Sequence, residues 1–133
     1  MADESNKPDP TSITGIAFVT SYVDDYKRGF EFYSEVLNLE KSFDVDRDAC
    51  FFKVGNNQYG LLLQGGVEGR KTRGDASRSS FVLMVDSASK MYQKLSLNGV
   101  RLLQEEPIDM GEGDFWFQFH DPAGNILEIL GGK

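Results

Sequence analysis

The chain has 133 residues, 40% of them hydrophobic and 26% charged, with a formal net charge of -7. That length suits one domain able to bury a core without disulfides or a structural metal, and the acidic balance argues against nucleic acid, whose binders displace counterions with a basic surface. Cys50 is the single cysteine, which excludes an internal disulfide and a cysteine-built zinc site within one chain, and no apolar run is long enough to cross a bilayer.

Residues 1–11 are polar and acidic, with Pro8 and Pro10 and no apolar periodicity. They read as a short disordered tail, neither a signal peptide nor a basic transit peptide. A reducing cytoplasm is the expected setting.

Gly15-Ile16-Ala17-Phe18-Val19 is a short apolar strand. Asp24 and Asp25 then offer carboxylates to the free N–H groups of a helix start. Tyr26, Phe30, Tyr33 and Leu37 follow at spacings of four, three and four, one helical stripe. Asn38 tolerates the left-handed geometry that ends a helix. Residues 39–46 read as extended, and Cys50-Phe51-Phe52-Lys53-Val54-Gly55 with Gly60-Leu61-Leu62-Leu63-Gln64-Gly65-Gly66 as a hairpin. Within that apolar string a buried, inert thiol is expected of Cys50.

The stretch 65–79 is rich in glycine and charge and lacks periodicity, so it reads as a connector. Its Arg70, Lys71, Arg73 and Arg78 suit either an anionic ligand or a solvated linker.

The plan then repeats. Ser80-Phe81-Val82-Leu83-Met84-Val85 is a strand, Asp86 or Ser87 a cap, and Ala88, Met91, Tyr92 and Leu95 a helical stripe that stops at Gly99. Residues 100–104 read as extended. Phe115-Trp116-Phe117-Gln118-Phe119-His120 and Ile126-Leu127-Glu128-Ile129-Leu130-Gly131-Gly132 form a hairpin across Asp121-Pro122-Ala123-Gly124-Asn125, whose Pro and Gly are turn formers. The reading is an α+β fold of two βαβββ modules, with module one at 12–66, the linker at 65–79 and module two at 79–132.

With this repeat in place, Phe32-Tyr33-Ser34-Glu35-Val36-Leu37-Asn38-Leu39 and Asp121-Pro122-Ala123-Gly124-Asn125-Ile126-Leu127-Glu128 resemble two motifs of the vicinal oxygen chelate superfamily. Glyoxalase I, bleomycin-resistance proteins, extradiol dioxygenases, fosfomycin-resistance enzymes and methylmalonyl-CoA epimerase belong to that superfamily. The resemblance spans residues 12–132. It implies a curved mixed sheet around a cleft, often paired with a second chain.

In metal-dependent relatives, the resemblance implies four ligands, one on the first and one on the last strand of each module, typically His or Gln and Glu. Such N and O donors hold a divalent ion with open positions that polarises substrate oxygens or activates O₂. The corresponding positions are Gly15 and Leu62 in module one, Ser80 and Glu128 in module two. Glu128 alone is a competent ligand, so no metal is expected. His120, the one histidine, lies off these positions and reads as a turn or structural residue.

Strand alternation sorts the faces. If Gly15, Leu62, Ser80 and Glu128 face the cleft, so do Ala17, Val19, Gly60, Gln64, Val82, Met84, Ile126 and Leu130. Ile16, Phe18, Leu61, Leu63, Phe81, Leu83, Leu127 and Ile129 would then pack beneath the helices. The cleft is expected to be apolar with a few polar groups, Ser80, Gln64 and Glu128, as small-molecule sites are. Phe52 and Trp116 add aromatic surface nearby. Glu128, set between two apolar neighbours, is read either as a ligand-binding or basic group, or as a vestigial carboxylate paired with an arginine such as Arg101 or with water.

The resemblance therefore implies a metal-independent small-molecule-binding protein of the bleomycin-resistance type, acting as a homodimer. The alternative is a divergent glyoxalase- or dioxygenase-like lyase or oxidoreductase holding zinc, nickel, iron or manganese through Glu128, His120 and Gln64. A third reading is a module that docks another protein.

Overall fold

Each half of the chain builds a four-stranded mixed sheet with a helix on one face, and the two halves use the same strand order. Module one comprises β1 (Val19–Tyr22), α1 (Tyr26–Glu31), β2 (Lys41–Asp46), β3 (Ala49–Val54) and β4 (Asn57–Gln64), arranged β1-β4-β3-β2. Module two comprises β5 (Val82–Ser87), α2 (Ala88–Leu97), β6 (Ile108–Gly111), β7 (Asp114–His120) and β8 (Ile126–Gly132), arranged β5-β8-β7-β6. In both, the first strand pairs in parallel with the last and the remaining pairs are antiparallel. The fold is thus α+β with two βαβββ modules. This computed structural model describes residues 10–11, 16–66 and 81–133. Most of the expected tail, the connector beyond Gly66, Gly15 and Ser80 lie outside the described residues.

Local chemistry sets the helix boundaries. The Asp25 carboxylate accepts from the Arg28 N–H at 3.1 Å, and the Ser87 hydroxyl from the Lys90 N–H at 3.1 Å. Each satisfies a donor that the first turn leaves open. Asn38 and Gly99 take positive φ values of 58° and 73° where the helices end. Helix α1 continues into a π-helical turn, Phe32–Val36, with the Leu37 N–H bonded to the Phe32 carbonyl at 3.0 Å. The extra residue in that turn changes the phase of the stripe. Phe32 and Tyr33, adjacent in sequence, are both buried.

One expected strand is replaced. Residues 100–104 contribute a single bridge, Leu102 to Phe119, and the sheet edge is filled by β6. The Gln104 side chain takes the Gln118 N–H at 2.6 Å, and the Gln104 and Glu105 carbonyls turn to the Tyr92 hydroxyl at 2.7 Å. Pro107 then lacks an N–H for a ladder. The backbone leaves the sheet and rejoins it at Ile108.

The core lies between helices and sheets. Phe30 and Tyr33 stack on Phe52 at 5.6 and 6.1 Å, and Tyr92 meets Phe117 edge-on at 5.1 Å. It continues across the module boundary, where Phe32 lies 6.3 Å from Phe119. Beside these rings the Tyr33 hydroxyl reaches Asp121, and Asn125 Nδ2 donates to the Tyr22 carbonyl at 2.9 Å.

Candidate functional site

The face of each sheet turned away from its helix is open, and the registers fix what it displays. In β4, Leu61 and Leu63 are buried while Leu62 and Gln64 are only half covered. Cys50 opposes Leu63 and Phe52 opposes Leu61 on the core side, so Phe51, opposite Leu62, belongs to the open side. In module two, Val82 opposes Glu128 and Met84 opposes Leu130. On the next strand Gln118 opposes Glu128 and Trp116 opposes Leu130. Two rows therefore cross the open face, Val82–Glu128–Gln118 and Met84–Leu130–Trp116. These alternations agree with the expected faces.

The first strand does not. Thr20, not Val19, opposes Leu62, and Val19 opposes Leu61 toward the core. Thr20 and Tyr22 thus occupy the open side, and Phe18 packs edge-on against Phe51 at 5.0 Å. The cause is a misplaced repeat. Thr20 is the counterpart of Val82, and the caps Asp25 and Ser87 each follow five residues later. Two positions upstream of that pair stand Phe18 and Ser80, so the alignment of Gly15 with Ser80 is three residues out.

Four rings form a cluster that the sequence does not single out. Phe43 lies 5.3 Å from Phe51 and 5.4 Å from Tyr59, and Phe51 lies 5.4 Å from Tyr59, with Phe18 at its side. Spacings this short leave no gap for a guest between rings, so the cluster is a platform rather than a cage. Phe43 and Tyr59 are 39% and 53% exposed, unlike core aromatics. Alternation within Cys50-Phe51-Phe52 signals that one of the two phenylalanines faces outward. Only the pairing to β4 shows that it is Phe51, and that Phe52 is core.

Glu128 is half-buried, and its Oε1 accepts the Trp116 indole N–H at 2.9 Å. Gln64 turns its amide to the Gly65 carbonyl at 3.0 Å. His120 ends β7 two residues beyond Gln118, buried, with Nδ1 3.3 Å from the Gly124 carbonyl. Cys50 is buried as expected, and burial pushes its thiol up.

The donor chemistry at the expected metal positions does not fit a divalent ion. Leu62 is apolar, counting back two residues from Thr20, the partner of Leu62, puts Phe18 rather than Gly15 at the first-strand position, and Glu128 is a single carboxylate that already accepts the Trp116 indole N–H. Among the described residues, no group of three or more His, Cys, Asp or Glu is placed to hold a metal. No helix among them is long and apolar enough to cross a membrane.

Comparison with known proteins agrees with this architecture. Residues 15–129 match the family described as the Glyoxalase/Bleomycin resistance protein/Dioxygenase superfamily. The protein YraH of Bacillus subtilis is 30% identical over 117 residues, covering 80% of this chain and 90% of that protein. A lactoylglutathione lyase structure from Agrobacterium tumefaciens is similar at a TM-score of 0.66 and 22% identity, covering 93% of this chain and 96% of that one. The fosfomycin resistance protein FosX from Listeria monocytogenes gives a TM-score of 0.71 at 18% identity, covering 92% of this chain and 94% of that one.

Proposed function

The chain belongs to the Glyoxalase/Bleomycin resistance protein/Dioxygenase superfamily, and from that premise we propose that it binds a small, partly apolar molecule on its open sheet faces without a divalent metal. The observation that carries this reading is the pair of last-strand positions. Leu62 supplies no donor in module one, and in module two Glu128 is held by the Trp116 indole. A carboxylate fixed in this way suits orienting a polar group of a ligand, while a single carboxylate is a poor anchor for a catalytic ion.

The ligand surface combines Leu62 and Gln64 with the Phe18, Phe43, Phe51 and Tyr59 platform in module one, and Met84, Trp116 and Glu128 in module two. Val82, Met84, Ile108 and Met110 are exposed together on module two. A contiguous apolar face of this kind marks an interaction surface. A second copy of the chain is the proposed cover, with the site shared between open faces.

Elemental analysis of purified protein, paired with a thermal-shift screen of small molecules, tests the reading. The expected result is less than stoichiometric metal, and compounds that raise the melting temperature in wild type but less in Glu128→Gln. Stoichiometric zinc, nickel, iron or manganese lost in Glu128→Ala would overturn it in favour of a metalloenzyme.

A further inference from the structure

In the rows Val82–Glu128–Gln118 and Met84–Leu130–Trp116, hydrogen-bond donors are scarce. Val82, Met84 and Leu130 carry none, a carboxylate only accepts, and the Trp116 indole N–H is already on Glu128. The Gln118 side-chain amide remains. We propose, on the premise of the open-face binding described above, that this amide selects the ligand: an apolar molecule carrying a carbonyl oxygen, as a ketone, amide or ester does.

The orientation of the amide follows from a backbone group. The Gln118 main-chain N–H, which can only donate, bonds the Gln104 side chain at 2.6 Å and so identifies the Gln104 amide oxygen. Gln104 Nε2 then donates to Gln118 Oε1 at 3.0 Å. With its oxygen held in this way, Gln118 keeps its NH₂ group without a partner among the described residues. Gln118 alternates with buried Phe117 and Phe119, which puts its side chain on the open face.

The Gln118 carbonyl also points away from β8, accepting the Leu103 N–H at 3.0 Å. Gln118 and Glu128 therefore form the non-hydrogen-bonded kind of cross-strand pair, whose side chains stand closest. Trp116 lies two residues along the same face, about 7 Å away in a strand. A ring resting on the Met84–Leu130–Trp116 row can thus present a substituent to Gln118. A ligand with no acceptor there would cover the half-buried amide and strip its water without replacing the bond, which is how a polar group discriminates. Gln104 is the positioning residue, since it fixes which end of the Gln118 amide faces the ligand.

Proton–nitrogen correlation spectra of the full chain, titrated with acetophenone or with α-methylstyrene, test the proposal. The second compound has the same shape with a methylene group in place of the carbonyl oxygen. Trp116 is the single tryptophan, so its indole signal reports occupancy of the face, and the Gln118 NH₂ signals are identified by their loss in Gln118→Met. Acetophenone should move both sets of signals saturably. α-Methylstyrene should move only the indole signal and bind about fivefold more weakly. Gln118→Met should bind the two compounds alike, and Gln104→Met, which frees the amide to turn, should lose most of the preference. Circular dichroism checks that the variants fold, and wild type alone carries the comparison if one does not. Equal binding of the two compounds to wild type, or a preference kept by either variant, would overturn the donor assignment and leave open-face binding standing. An indole signal unmoved by both compounds would overturn the two readings together.

Discussion

The Tyr33 hydroxyl donates to Asp121 Oδ2 at 2.7 Å, joining residues 88 positions apart and belonging to different modules. It sits 2.8 Å from the Ser21 hydroxyl, which donates to it in turn. Asn125 completes the link by bonding both Asp121 and the Tyr22 carbonyl. The residues that resemble family motifs are therefore those that weld one module to the other. Their position depends on the π-helical turn, which brings Tyr33 inward beside Phe32.

Replacing Tyr33 by Phe keeps the ring on Phe52 and removes only the hydroxyl. The Asp121 carboxylate loses one of four donors and Ser21 loses a buried partner. A cost of about 1–3 kcal/mol is expected for unsatisfied buried groups, read as a lower urea midpoint at unchanged slope. A double-mutant cycle with Asp121→Asn should show coupling of roughly 0.5–3 kcal/mol. Additive effects would mean the contact does not join the modules energetically.

Alkaline pH probes the same network. Burial, chiefly, and the adjacent Asp121 charge hold the Tyr33 hydroxyl well above its ordinary value. A group raised on folding contributes stability that is whole below its unfolded pKa, about 10 for tyrosine, and is lost as pH rises toward the folded value. Wild type should lose stability with increasing steepness above about pH 10. In Tyr33→Phe that slope should be shallower, although Tyr26, also raised by burial, contributes part of it. Denaturant midpoints between neutral and strongly alkaline pH decide; parallel curves would count against the assignment.

The repeat was legible because helix stripes, caps and turn residues are local signals. Asp25, Ser87, Asn38 and Gly99 act where the sequence places them. The face of β1 was not legible. The apolar run Ile16 to Val19 lies before it and shares only Val19, and the polar Thr20 and Ser21 fall on opposite faces, so only pairing with β4 fixes the phase. The aromatic platform was hidden for the same reason, since Phe43 and Tyr59 meet Phe51 through register rather than spacing. The π-helical turn and the move from 100–104 to β6 depend on tertiary hydrogen bonds that no window of sequence contains.

Gly131 pairs with Val85 between parallel β5 and β8. A Cβ added there would clash with the Val85 carbonyl oxygen, and backbone cannot yield as a side chain can. Gly131→Ala should cost about 1–3 kcal/mol through strand separation and loosen the row that carries Met84 and Trp116. Chemical denaturation measures the loss. Hydrogen exchange should show it concentrated in β5 and β8.

Met84 is 86% exposed at the middle of a strand, where Leu130 and Trp116 continue the same apolar row. Its side chain contributes nothing to the core, so Met84→Glu should leave the monomer fold intact, with a stability change within about 0.5 kcal/mol. If a second copy covers this face, the new carboxylate is buried against apolar surface and beside Glu128's row, at the cost of desolvation and like-charge repulsion. Sedimentation velocity should then show a dimer for wild type and a shift to monomer in Met84→Glu, by about tenfold or more in dissociation constant. A wild-type monomer at all concentrations would rule out the shared site. The ligand would then bind to an uncovered face, and the thermal-shift response of wild type and Met84→Glu would differ only through direct contact.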